Sequence, residues 1–118
     1  MGVKNILEDL IRKCFASQYF KTGDGLAQEV GRNIRMPVKF ETGEQTRDGC
    51  KGFSAVCNGY EVETIAWHGS KSGAENLAGW KWIRDVCYRS AVDKNLFWQS
   101  VKKFTIFDCR RGDQLSNV

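Results

Sequence analysis

The stretch from Phe53 to Tyr88 constrains the fold most, because it joins two alternating runs through Asn58-Gly59 and leads directly into a helical pattern. Asn-Gly is the strongest short-range hairpin signal, since both central residues of the favoured turn need positive φ. A two-residue turn there puts Cys57 opposite Tyr60, Ala55 opposite Val62 and Phe53 opposite Thr64, all on one largely apolar face. Ser54, Glu61 and Glu63 fall on the other face, towards water. Ile65 and Trp67 interrupt that polarity near the strand end, so both faces need cover there. The helix that follows is the expected cover.

Ser72-Gly73-Ala74-Glu75 fits a capping box, in which the serine hydroxyl and the glutamate carboxylate satisfy orphan amides of the first turn. Beyond it, Leu77, Trp80, Ile83, Cys87 and Ala91 recur at helical spacing and form an apolar stripe. Lys81, Asp85 and Arg89 stand four apart and are expected to pair along the exposed side. Gly79 weakens the helix by about 1 kcal/mol relative to alanine, and is expected to let it pass close to the sheet.

Upstream, residues 4–20 read as a helix, with Val3, Ile6, Leu7, Leu10, Ile11, Cys14 and Phe15 on one broad apolar face. Lys21-Thr22-Gly23-Asp24-Gly25 breaks that helix, with Asp24 as the expected cap of a second one over residues 26–35 that Pro37 ends. The second helix faintly echoes the opening helix of a helix-turn-helix unit, but Arg32 and Pro37 fit an ordinary core helix better. Residues 38–42 alternate as a short strand, and residues 43–49 read as a polar loop. Residues 96–101 suit either a short helix or a strand, Phe104-Thr105-Ile106-Phe107 reads as a final strand, and 109–118 as a polar tail. The expected architecture is α+β: a small, mostly antiparallel sheet of three or four strands, with two N-terminal helices and one central helix on one face.

At 118 residues the chain is long enough for one core and too short for two, so 1–118 reads as a single domain. No apolar run is long enough to span a membrane. Glu8 and Asp9 lie inside the first amphipathic segment, which argues against a secretory leader. The five cysteines, at 14, 50, 57, 87 and 109, are odd in number and show no paired spacing. Several occupy apolar positions, where a free thiol acts as a small hydrophobe. A reducing, cytoplasmic setting follows as an expectation, with a Cys50–Cys109 bridge left open.

The net charge of +4 is unevenly distributed. Residues 1–80 balance ten basic against ten acidic side chains, whereas residues 81–111 carry eight lysines and arginines against three aspartates. The basic set is Lys81, Arg84, Arg89, Lys94, Lys102, Lys103, Arg110 and Arg111, interleaved with Trp82, Tyr88 and Trp98. Cations that replace counterions and flat rings that stack on bases are what a nucleic-acid surface needs. An acidic protein surface would be steered in by the same field, and a solvated face over a buried aromatic core is the plain alternative.

His68 is the only histidine, so any imidazole chemistry must use it. The scattered cysteines lack the Cys-x-x-Cys spacing of a zinc site, and no spacing brings a cysteine nucleophile to His68. Trp67-His68-Gly69-Ser70, at a strand end and followed by a helix bearing Asn76, resembles the donor loop of ADP-ribosyltransferases of the poly(ADP-ribose) polymerase type. That resemblance implies NAD as ligand, with His68 and Ser70 on the nicotinamide ribose and amide. It covers about ten residues. The family's stacking tyrosine has no counterpart in a glycine-rich segment, and no glutamate follows Glu75. The preferred expectation is a non-catalytic, cofactor-free binding protein, an inhibitor or accessory factor that meets an acidic macromolecular partner through residues 81–111.

Overall fold

The computed structural model describes residues 2–16, 22–92 and 95, with side chains omitted at 14–16. Along the chain lie helices α1 (Val3–Ala16) and α2 (Gly23–Asn33), strands β1 (Lys39–Arg47), β2 (Cys50–Gly59) and β3 (Val62–His68), and helix α3 (Lys71–Arg89). The strands form one antiparallel sheet in the order β1-β2-β3. The class is α+β, as the alternation patterns led one to expect. The possible elements at 96–101 and 104–107, the tail at 109–118 and the inward positions Cys14 and Phe15 lie outside what is described.

Helix α3 is the hub. One side packs on the inner face of β2 and β3, and another on α2. Eleven of its nineteen residues are therefore buried, including Trp80, Trp82, Ile83 and Val86, a far wider face than a single stripe. Ala91 is the exception to the expected stripe: the helix has ended, and Ala91 is exposed with φ of 60°. Thr64 on β3 reaches the helix from the sheet, its hydroxyl donating to the Ala78 carbonyl at 2.8 Å. Gly79 faces α2 rather than the sheet, because a Cβ there would run into the backbone of Gly23 and Asp24. At that crossing the Gly23 amide donates to Asn76 Oδ1 at 2.6 Å. Helix α1 completes the core with Leu7, Leu10 and Ile11.

Both hairpins differ from expectation. β1 runs on through Arg47 and turns at Asp48-Gly49, so residues 43–47 are strand, not loop. Asp48 and Gly49 both have positive φ (50° and 78°), as a two-residue hairpin turn demands. That extension was hidden because residues 43–47 are glycine or polar and all exposed, with no buried face to set a pattern. The β2–β3 turn falls at Tyr60-Glu61 (φ 53° and 56°), two residues beyond Asn58-Gly59. Cys57 thus pairs with Thr64, Ala55 with Ala66 and Phe53 with His68. Each partner is shifted by four residues, an even number, so the apolar face survives the error.

Side chains from α3 hold that unexpected turn. Trp82 Nε1 donates to the Gly59 carbonyl at 2.9 Å, and Arg89 donates to the Tyr60 carbonyl at 3.2 Å. The Arg89 guanidinium also lies 4.9 Å from the Tyr60 ring centre and pairs with Glu61 at 3.0 Å. These contacts override the intrinsic preference of Asn-Gly for the turn.

Candidate functional site

The β3–α3 junction carries the only histidine. The helix is capped by Ser70, two residues before the expected Ser72, and the third residue of its first turn is Gly73, so no glutamate closes a box. Ser70 Oγ accepts from the Gly73 amide at 3.1 Å. The Ser70 amide donates to His68 Nδ1 at 3.0 Å, and Oγ also lies 3.0 Å from that nitrogen. Accepting from an amide requires an unprotonated Nδ1. Gly73 leaves the space that the imidazole fills, since a Cβ there would meet the ring. The two side chains that the transferase resemblance assigns to NAD are thus brought together, in a knot that starts a helix. Asn76, the third residue of that resemblance, is 5% exposed and holds α2.

Trp67 does not lie under the helix. By strand alternation it stands on the outer face with Ile65, over Gly52, where any Cβ would strike the indole. Its Nε1 donates to the Gln45 carbonyl at 2.9 Å, and Arg47 sits 5.7 Å from its ring centre. The hairpin itself covers Trp67, and Ile65 remains 50% exposed. A cavity of about 550 Å³ opens between Gly69 and the hairpin residues Glu44, Thr46, Lys51 and Phe53. Sequence reasoning read Phe53 only as an inward strand residue and passed over Glu44, Thr46 and Lys51, although Asp48-Gly49 carries a hairpin signal that could have placed them.

The structure divides the proposed binding residues. Trp82 is fully buried and therefore cannot belong to an exposed surface; its ring fills the core because α3 is enclosed on two sides. Lys81, Arg84 and Tyr88 are half-buried, and Arg89 is exposed. Lys81 Nζ donates to the Ile65 carbonyl at 3.1 Å, and Arg84 pairs with Asp85 at 2.9 Å. The expected Lys81–Asp85–Arg89 ladder is replaced, since Lys81 and Arg89 reach across to β3 and its turn. Lys94, Trp98, Lys102, Lys103, Arg110 and Arg111 lie outside the described residues.

Cys57 and Cys87 are buried free thiols, each pushed up to about 12 chiefly by burial. They are inert packing groups at neutral pH. Cys50 is a free thiol at the surface beside the first hairpin turn; its possible partner Cys109 is outside the described chain. Among the described residues no cluster of three histidine, cysteine or acidic side chains could hold a metal ion, and no helix is long and apolar enough to cross a membrane.

No family model, no curated protein and no solved structure matches this chain.

Proposed function

We propose that the protein is a non-catalytic binding protein, an inhibitor or accessory factor, that engages an acidic macromolecular partner through the basic side of α3 and the residues that follow it. The observation that carries this reading is the concentration of charge: eight lysines and arginines against three aspartates in residues 81–111, with residues 1–80 balanced. Such an asymmetry along the chain favours an encounter of that segment with an acidic partner. A protein partner is favoured over direct DNA or RNA binding, because Trp80 and Trp82 have their rings in the core and offer no stacking platform. An NAD-dependent transferase is the least favoured reading, since His68 Nδ1 and Ser70 Oγ are engaged in the helix cap. The buried free thiols suit the reducing, cytoplasmic setting expected above.

Three measurements separate these readings. Saturable capture of one protein on the immobilised chain, lost with Arg84→Glu/Arg89→Glu and retained at moderate salt, supports the binding reading. Binding to a short single-stranded DNA that falls steeply with salt would replace it by direct nucleic-acid binding. Calorimetric heat with NAD, lost in His68→Ala, would revive the transferase.

A further inference from the structure

The two edges of the sheet are finished differently. A two-residue turn makes its flanking pair a hydrogen-bonded one, so Gly59 and Val62 exchange backbone bonds and every second pair along that ladder does the same. The backbone groups of Glu63, Ile65 and Trp67 then point away from β2, to the free side of β3. There Lys81 reaches over from α3 and takes the Ile65 carbonyl. A lysine placed on an edge is a common way of blocking strand addition.

The same reasoning applied to Asp48-Gly49 pairs Arg47 with Cys50 and turns Gln45, Gly43 and Glu41 towards β2. Phe40, Thr42, Glu44 and Thr46 direct their amides and carbonyls outward along an edge that no described strand or helix covers. Nine residues without a proline or a bulge, carrying two positive and two negative side chains, make an effective template for another strand.

The order of residues on β1 also says which strand fits. Glu44 is a centre of pseudo-symmetry: Thr42 and Thr46 lie two residues either side, and the opposite charges Glu41 and Arg47 three either side. An antiparallel partner with the same sequence, centred on Glu44, sets Thr42 against Thr46 twice and Glu41 against Arg47 twice. The Thr42–Thr46 and Glu44–Glu44 pairs fall on the residues whose backbone groups are free. Centring on Gly43 instead would oppose Lys39 and Arg47, a like-charge pair at each end. We infer that β1 is a self-association edge: two copies of this chain pair their β1 strands antiparallel about Glu44, joining two three-stranded sheets into one of six strands. Because the register is even, both α3 helices lie on the same side of the joined sheet, and the outer faces stay continuous. One unfavourable contact remains, Glu44 against Glu44, and it gives the interface a signature.

Sedimentation across a concentration series, up to the millimolar range, tests this directly. The wild-type chain is expected to show a reversible monomer–dimer equilibrium. Glu44→Gln removes the like-charge pair and should tighten it about two- to fivefold, as expected for a directly opposed pair. Arg47→Glu should loosen it, and the exchange Glu41→Arg with Arg47→Glu should restore it. Thr42→Pro, which removes an outward amide and none that faces β2, should abolish it while leaving the circular dichroism spectrum unchanged. If Thr42→Pro does not fold, the three charge variants decide. A chain that stays monomeric throughout, or a dimer indifferent to Glu44→Gln and to the charge exchange, would overturn the inference. Protected edge amides in a strictly monomeric sample would do so too, by showing that another segment covers β1. Arg84→Glu/Arg89→Glu should leave the dimer intact, which keeps this test independent of the partner-binding one.

Discussion

Helix α3 and strand β1 stand at opposite ends of one scale. The helix buries eleven of nineteen residues, and the strand buries none of nine. The helix is held by packing from two sides. The strand is held by ladder hydrogen bonds and by a turn whose residues accept positive φ. Burial makes α3 unavailable to partners along most of its circumference, whereas β1 has an edge that no described element covers. β1 adds only the half-buried Phe40 to the core, whose buried residues come from the other elements.

The largest effect should come from α3. Trp82→Ala removes a fully buried ring and the donor to the Gly59 carbonyl, and should cost about 3–5 kcal/mol in urea unfolding. A loss under ~1 kcal/mol would mean that α3 is less enclosed than described. Next, Asn76→Ala strands the Gly23 amide at the α2–α3 crossing and should cost about 1–3 kcal/mol. Ser70→Ala removes the cap and should cost about 1 kcal/mol, with Ser70→Asp restoring most of it. At the other extreme, Glu41→Ala and Glu44→Ala on β1 should change the stability of the monomer by no more than about 0.5 kcal/mol.

The buried thiols offer a pH test of the same contrast. Cys57 and Cys87 have folded pKa values raised to about 12 from 9.0, so their contribution is fully present below 9. Above that, the unfolded chain loses its thiol protons first, and stability should fall as pH rises from 9 towards 12. Cys57→Ser/Cys87→Ser should flatten that part of the profile, whereas Cys50→Ser, at the exposed hairpin end, should leave it unchanged. Below pH 9 iodoacetamide should label Cys50 rapidly and spare the other two until the chain unfolds.

Much of the α3 half was legible from residue order. Leu77, Trp80, Ile83 and Cys87 recur at helical spacing, and each is buried. The rest of its burial was not, because Gly79 and Asn76 at the α2 crossing and Ala78 beside Thr64 of the sheet carry no hydrophobic pattern to read. The β1 half was nearly silent. Its first residues alternate and read as a short strand, but residues 43–47 are exposed on both faces, so only Asp48-Gly49 marked that extension. The second hairpin shows the reverse case, a clear local signal overruled: Asn58-Gly59 lost to a turn clamped by Trp82 and Arg89, 23 and 29 residues away in the chain but near enough in space to decide it. At the candidate site, residue order brought His68 and Ser70 together but could not show that the pair caps a helix. Trp82 was read as a surface aromatic because its neighbours in sequence are cations; only packing reveals that they point elsewhere.

Native-state hydrogen exchange on a dilute sample tests the contrast most directly. Amides in the middle of α3, from Leu77 to Val86, should exchange only through global unfolding, whereas β1 should alternate: Glu41, Gly43 and Gln45 protected, Phe40, Thr42, Glu44 and Thr46 fast. An α3 that opens well below the global free energy, or a β1 protected without alternation in the monomer, would contradict the account.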